Sequence, residues 1–182
     1  MIKIINFAGK AEHGKDTFAR MLKEKLELQN KKVLILHFAD YLKYICSQYF
    51  GWNGKKDKQG RGILQSVGTD KIRNIYPDFW VEIIYNLINV FHNDFDYFLM
   101  PDFRFRNESE YFKERGMPLI TVYITRYNYK NSLSDEQKNH PSEKNLDDYT
   151  FDYYVYVDEG LDKLEKEVDI FINNYNLLEV TN

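Results

Sequence analysis

The sequence of 182 residues contains a single cysteine, Cys46. One cysteine excludes an internal disulfide bond and any zinc site built from cysteine ligands. No apolar run approaches the roughly 18 residues that a membrane-spanning helix needs, and the first residues lack the pattern of a secretory signal peptide. Positive charge is not in excess either, because 28 acidic residues outnumber 25 basic ones and give a net charge of −3. We therefore expect a cytoplasmic protein without membrane partners and without the general basic field that holds nucleic acid.

The length fits a single domain spanning residues 1–182. Apolar runs typical of buried strands alternate with amphipathic segments typical of helices, which predicts an α/β fold with a five-stranded parallel sheet flanked by helices. Two segments fit neither pattern, and we predict a mobile loop at 51–60 and a lid-like segment at 127–150. The predicted strands are 3–8, 33–38, 97–100, 119–125 and 152–157, and the predicted helices are 15–29, 41–49, 63–73, 79–92, 107–115 and 161–175.

Residues 9–17, with the sequence GKAEHGKDT, lie between the first predicted strand and the first predicted helix. Gly9 and Gly14 allow backbone N–H groups to surround phosphate oxygens, Lys15 adds a positive charge, and the helix N-terminus contributes its dipole. A dinucleotide-binding loop would need a glycine where Ala11 stands. The segment therefore predicts a phosphate-binding loop and a nucleotide-binding enzyme.

Acidic and hydroxyl side chains near this loop are candidates for magnesium. The loop departs from the usual pattern because Asp16 follows the lysine and the hydroxyl comes one place later, at Thr17. Either side chain could face the ion, or Asp16 could serve only as a favourable first-turn carboxylate. Asp102 follows a predicted strand, where an acidic side chain reaches Mg²⁺ or its water shell, or lies in a plain loop.

Four arginines could neutralise phosphate charge. Arg73 suits an acceptor monophosphate because a guanidinium binds phosphate oxygens in a bidentate way, although it could also be a surface helix residue. Arg104 and Arg106 alternate with phenylalanines, so one could bind phosphate while the other pairs with a nearby glutamate. Arg126 ends a predicted strand and could close over the transferred group as a lid arginine. The histidines show no metal-binding spacing and are interpreted as structural or incidental: His13, His37, His92 and His140.

Several short blocks stand out along the sequence: GKDT at 14–17, FAD and LK within 38–43, FGW at 50–52, LQSVGTDKIR at 64–73, WV at 80–81, DFRFRNE at 102–108 and HPSE at 140–143. In register from about residue 2 to 170, these blocks resemble the bacteriophage-type deoxynucleoside monophosphate kinases. Pro101, directly before the block at 102–108, and Arg106 within it depart from the family pattern of an apolar residue and a proline.

The resemblance implies a P-loop nucleoside monophosphate kinase fold and transfer of the terminal phosphate of ATP to a deoxynucleoside monophosphate, with magnesium as cofactor. Members are commonly dimers, so a homodimer is possible, and a viral member would act in the host cytoplasm. By resemblance, the ATP-binding residues are Gly9, Lys10, His13, Gly14, Lys15, Asp16 and Thr17. The substrate-binding residues are Phe38, Asp40, Lys43, Gln65, Thr69, Arg73, Trp80, Arg104, Asn107 and Glu108. The catalytic candidates are Lys15, Asp16, Asp102 and Arg126, and the metal candidates are Asp16, Thr17 and Asp102.

Two other functions stay open from the sequence. The phosphate loop alone does not name the acceptor, so a kinase of the same fold could act on another small phosphorylated metabolite. A nucleotide-binding switch or assembly module without catalysis would also use such a loop. An enzyme is favoured because a switch would not need Arg73, Asp102 and Arg126 near the phosphate loop.

Overall fold

A computed structural model describes residues 3–127, 129, 133–158 and 160–178. Residues 128 and 130–132 of the predicted lid, and both ends of the predicted single domain, lie outside the described residues. Within the described residues, five parallel strands form one sheet in the order β2-β3-β1-β4-β5, which confirms the predicted fold class. The strands are β1 (Lys3–Ala8), β2 (Val33–Ile35), β3 (Tyr97–Met100), β4 (Leu119–Arg126) and β5 (Tyr153–Val157).

Helices connect the strands and cover both faces of the sheet, as a parallel sheet requires. Helices α1 and α8 pack on one face through residues such as Phe18 and Phe171, and α4 and α5 pack on the other through Ile84 and Phe112. No helix in the described part of the chain is long and apolar enough to cross a membrane. The helices are α1 (Lys15–Glu27), α2 (Asp40–Tyr49), α3 (Lys58–Gln65), α4 (Phe79–Phe91), α5 (Asn107–Glu114), α6 (Asp135–Lys138), α7 (Pro141–Lys144) and α8 (Leu161–Asn174), with a π-helical segment at Ser66–Arg73.

The structure differs from the predicted elements near the carboxyl edge of the sheet. Strand β2 ends at Ile35, three residues early. Helix α3 begins at Lys58, inside the predicted loop 51–60, because the Asp57 carboxylate caps it by accepting a hydrogen bond from the Gly60 amide at 2.8 Å. The predicted helix 63–73 becomes π-helical from Ser66. Two short helices, α6 and α7, form in the segment predicted as a lid without regular structure.

The strand order places the phosphate loop at the centre of the sheet edge. Strand β1 lies between β3 and β4, and the chain leaves β1 towards β2 on one side and leaves β4 towards β5 on the other. Ligands of open α/β sheets bind beyond the carboxyl ends of the strands, where the connections diverge in this way. The loops that follow β1, β2, β3 and β4 therefore meet around one region.

Candidate active site

A cavity of about 470 Å³ opens at this region. It brings together eleven of the predicted site residues: Lys15, Asp16, Phe38, Lys43, Gln65, Thr69, Arg73, Trp80, Asp102, Arg104 and Glu108. Gly9 and Lys10 line a smaller cavity of about 30 Å³ that shares Arg104, Ser142 and Glu143 with the first. Six predicted residues line neither cavity: His13, Gly14, Thr17, Asp40, Asn107 and Arg126.

The phosphate loop has the backbone conformation that its glycines predict. Gly9 has a φ of +142°, and a Cβ atom there would lie 2.1 Å from the carbonyl oxygen of Ile124 in β4. Gly14, the residue before α1, has a φ of +97°. Only glycine tolerates both the positive φ and the close approach at position 9. The loop is therefore held against the backbone of β4.

The Lys15 side chain curls back over this loop. Its Nζ atom donates to the carbonyl oxygens of Gly9 at 2.7 Å and Lys10 at 2.8 Å, and the residue is buried. Burial, together with the nearby charge of Arg104, lowers the pKa of Lys15 to about 7. An ammonium group in such surroundings would be stabilised by an anion. Lys15 is thus placed to bind a phosphate oxygen.

Two carboxylates beside Lys15 have different environments. Asp16 is exposed on the first turn of α1, and a hydrogen bond with His37 lowers the pKa of its carboxyl. Asp102 is half-buried, and its two oxygens accept the backbone N–H groups of Phe38 and Ala39, each at 3.0 Å. Asp102 therefore fixes the segment between β2 and α2, in addition to lining the cavity.

Arg73 forms a buried ion pair with Glu108. One Nη atom of Arg73 lies 2.7 Å from Glu108 Oε1, the other donates to Asn107 Oδ1 at 3.0 Å, and the guanidinium stacks on the Phe105 ring at 3.8 Å. The Nε atom is buried without a hydrogen-bond partner among the described residues. Burial raises the pKa of Glu108, and the charge of Arg73 opposes this effect. Arg73 is therefore a cavity residue whose charge is already balanced, not a surface residue.

The segment around α7 docks onto the site through cations. Arg104 donates to the carbonyl oxygen of Ser142 at 2.9 Å and pairs with the Glu143 carboxylate. Lys10 of the phosphate loop donates to the carbonyl oxygen of Glu143 at 2.6 Å and pairs with Asp147 at 2.5 Å. These contacts place the Glu143 carboxylate inside the cavity.

Arg106, the second of the two alternating arginines, contacts the same segment outside the cavity. Its backbone amide donates to Asn145 Oδ1 at 2.9 Å, and its guanidinium pairs with Asp148. Arg104 thus faces the cavity while Arg106 anchors the segment, and their carboxylate partners are Glu143 and Asp148 instead of Glu108 or Glu110, the glutamates nearest in sequence.

His13 and Arg126 lie together at the carboxyl end of β4. The buried imidazole of His13 accepts the backbone N–H of Arg126 at 3.1 Å through Nδ1, which lies 3.2 Å from Thr125 Oγ1. Burial, followed by the charge of Lys15, lowers the pKa of His13. The Arg126 guanidinium lies over the Tyr129 ring at 4.1 Å. His13 is part of the phosphate loop and Arg126 lies beside it, and neither residue lines the cavity.

Sequence reasoning missed several polar cavity residues, among them His37, Arg61 and Glu143. His37 lies between Asp16 and Asp40, at 3.3 Å from each, and these contacts raise the pKa of His37 to about 10. Arg61 of α3 reaches towards the phosphate loop, and Glu143 lies in the lid segment. The resemblance of HPSE could have indicated Glu143, whereas no local pattern marks His37.

Comparisons with known proteins agree with this geometry. The model of the deoxynucleotide monophosphate kinase family matches residues 32–168. No curated protein matches significantly. Among solved structures, APS kinase from Mycobacterium tuberculosis in complex with AMPPNP and APS is similar with a TM-score of 0.53 and 11% identity, covering 96% of this chain and 98% of that one. Shikimate kinase from Bacteroides thetaiotaomicron is similar with a TM-score of 0.53 and 12% identity, covering 96% of this chain and 98% of that one.

These neighbours are too distant in sequence to show more than the fold, which is that of P-loop kinases. The family model covers most of the chain, and the matched residues include 102–108 and the segment predicted as a lid. The phosphate loop precedes the matched residues and completes the site in space. This chain belongs to the deoxynucleotide monophosphate kinase family and is a kinase.

Proposed function

We propose that this protein transfers the terminal phosphate of ATP to the 5′-phosphate of a deoxynucleoside monophosphate, forming ADP and a deoxynucleoside diphosphate. The observation that carries the proposal is the single cavity lined by Lys15 of the phosphate loop and by Arg73 and Arg104 from other elements. Two phosphorylated substrates repel each other as they approach, so a site for both needs cations from each side. Family membership supports the acceptor class, and the neighbour that holds AMPPNP supports ATP as donor.

The donor phosphates would bind over the phosphate loop. Lys15 Nζ would exchange the carbonyl oxygens of Gly9 and Lys10 for phosphate oxygens, and its full positive charge would then be favoured. Arg104 would similarly exchange Glu143 for a phosphate oxygen. Both cations would stabilise charge on the transferred group, which is the main contribution that proteins make to phosphoryl transfer. Arg126, beside the loop, would assist from the lid side.

The acceptor would bind between α2, the π-helical segment and the start of α5. Arg73 would face the acceptor phosphate, backed by Glu108 and Asn107. Trp80 is buried, with its Nε1 donating to Gly68 O at 3.1 Å, and would form a fixed wall of the pocket. Polar and apolar groups that would contact the base and sugar are Phe38, Lys43, Gln65 and Thr69.

The residues present fit a magnesium ion that is bound mainly through phosphate oxygens. The described residues include no group of three or more His, Cys, Asp or Glu side chains arranged to hold a metal, and Mg²⁺ in kinases often uses only one or two carboxylates. Asp16 is exposed at the cavity and would hold the ion, with Thr17 on the same turn. Asp102 already accepts two backbone N–H groups and would act through water. The ion, when bound, would neutralise charge on the phosphate oxygens.

An ADP-release assay with a panel of monophosphates tests the proposal. We expect turnover on at least one of dTMP, dGMP and dCMP, and loss of at least about a hundredfold in Lys15→Ala with the fold intact. Lys25→Ala is the matched control, because Lys25 lies on the same helix and pairs with Glu165 and Asp169 at the surface. Turnover only on a non-nucleotide acceptor, or ATP binding without any turnover, would overturn the proposal. A Lys15→Ala variant within about tenfold of wild type would remove Lys15 from the mechanism.

A further inference from the structure

His37 lies in the short segment between β2 and α2, where it joins two elements of the cavity. Its Nε2 atom is 3.3 Å from Asp16 Oδ1 at the start of α1, and its Nδ1 atom is 3.3 Å from Asp40 Oδ2 at the start of α2. The side chain is 26% exposed and lines the cavity. One imidazole ring therefore connects the donor-binding loop to the helix that borders the acceptor.

Each of the two contacts pairs the ring with a carboxylate. A carboxylate can only accept hydrogen bonds, so an N–H at either ring nitrogen has an acceptor oxygen 3.3 Å away. Lys43 pairs with Asp40 from the other side at 2.8 Å. Without the imidazole, the carboxylates of Asp16 and Asp40 would lose the ring that lies between them.

The segment that carries His37 has a second, independent anchor. The carboxylate of Asp102 holds the backbone amides of Phe38 and Ala39. Removing the imidazole would therefore leave the segment in place and break its contacts with Asp16 and Asp40. Because the segment has this second anchor, a loss of activity in a His37 variant that stays folded would indicate a positioning role.

We propose that His37 is a positioning residue that holds Asp16 and Asp40 in a fixed relation, so that the donor and acceptor phosphates meet in the geometry for transfer. The inference rests on the proposed function, because the two elements it joins are assigned to the two substrates. Misplacement of a reacting group by about 1 Å can lower the rate about a hundredfold. The effect should therefore appear in kcat more than in the binding of either substrate alone.

The test compares His37→Ala with His92→Ala, since His92 is exposed at the end of α4 and its hydrogen-bond partner there is the carbonyl oxygen of Asn89. We expect His37→Ala to lower kcat by about tenfold to a hundredfold, while the KM values for ATP and the monophosphate change by less than about threefold. His92→Ala should match wild type. In a double-mutant cycle, His37→Ala combined with Asp40→Asn should lose little more than either single variant, because both break the same connection. Wild-type kcat in His37→Ala, or fully additive losses in the cycle, would overturn the inference.

A binding measurement keeps this result separate from the proposed function. Calorimetry gives the Kd of dTMP with and without saturating AMPPNP, and the ratio of the two values measures the coupling between the sites. We expect the same ratio of Kd values in wild type and in His92→Ala. In His37→Ala we expect a ratio close to one. A ratio that His37→Ala leaves unchanged would contradict the inference even if the enzyme is an active kinase. Absence of turnover on every monophosphate would instead contradict the proposed function.

Discussion

At the scale of single residues, three cations of the cavity have internal partners. Lys15 contacts backbone carbonyl oxygens, Arg104 contacts Glu143, and Arg73 contacts Glu108. A buried charge is tolerated only with such partners. The strength of each pair should therefore affect both the stability of the site and the affinity for phosphate that we propose.

Arg73→Ala should lower the free energy of unfolding by about 3–5 kcal/mol, because it leaves the Glu108 carboxylate buried without its cation. The loss should be smaller near pH 5 than near pH 8. Burial already raises the pKa of Glu108 above its usual 4.5, and loss of Arg73 would raise it further. Between the unfolded and folded pKa values the folded state binds more protons, so stability increases as the pH falls. Urea unfolding at both pH values measures the difference.

Two variants serve as controls for that experiment. Arg115→Ala removes an exposed arginine that stacks on Tyr111 and should change stability by less than about 1 kcal/mol. The double variant Arg73→Met with Glu108→Gln removes both charges and should recover part of the loss. Equal destabilisation by Arg73→Ala at both pH values would contradict the role of Glu108.

Prediction from sequence succeeded best for residues whose role is local. The positive φ of Gly9 and Gly14 and the position of Lys15 follow from a pattern of neighbours along the chain. His37 and the pairing of Arg73 with Glu108 depend on elements 21 and 35 residues apart. Such contacts arise from tertiary packing, so no spacing in the sequence could indicate them.

At the scale of elements, the lid segment is the part that sequence patterns described least. Helices α6 and α7 have four residues each, which is too short for an apolar periodicity to show. Local capping could have indicated them, because Ser134 and Gln137 form a capping box and Pro141 begins α7. By contrast, the five strands and the long helices carry continuous apolar runs or stripes, and their positions agree with prediction to within a few residues.

Lys10→Met should loosen the segment around α7, because Lys10 holds both the Glu143 carbonyl and the Asp147 carboxylate. We expect faster hydrogen exchange at the amides of residues 143–147. Global stability should change by less than about 1 kcal/mol, since this ion pair is partly exposed. Mass spectrometry of exchanged peptides measures the effect.

Lys138→Met is the matched control for that exchange experiment. Lys138 pairs with Asp135 within α6 at 3.4 Å and does not reach the phosphate loop. Its variant should leave exchange at residues 143–147 unchanged. If both variants behave alike, the connection between Lys10 and α7 does not hold the segment.

At the scale of the whole molecule, the strand order brings distant segments to one edge of the sheet. The parallel pairing of β1 with β3 and β4 places the residues after each strand side by side. The cavity is therefore lined by residues from Ala11 to Glu143, although no single stretch of the chain forms it. A ligand that contacts several of these segments should stabilise the fold as a unit.

AMPPNP and dTMP should each raise the melting temperature of the protein, and both together should raise it further. A ligand at about 100 times its Kd adds about 2.7 kcal/mol to the free energy of unfolding. Lys15→Ala should lose the shift caused by AMPPNP and retain the shift caused by dTMP, because the proposed binding sites of the two ligands lie at different ends of the cavity. Loss of both shifts in this variant would contradict the separation of the sites.

Size-exclusion chromatography of the same samples tests the homodimer that the family resemblance implies.

The internal partners of the cavity cations have a consequence for turnover. In the proposed reaction, each phosphate that enters would displace a carbonyl or carboxylate oxygen from Lys15 or Arg104, so the net affinity would be the difference between two similar interactions. The same oxygens would pair with the cations again when the nucleotide diphosphates leave. We therefore expect moderate affinity and rapid product release, and we expect removal of the Glu143 carboxylate to strengthen phosphate binding and slow the last step of the cycle.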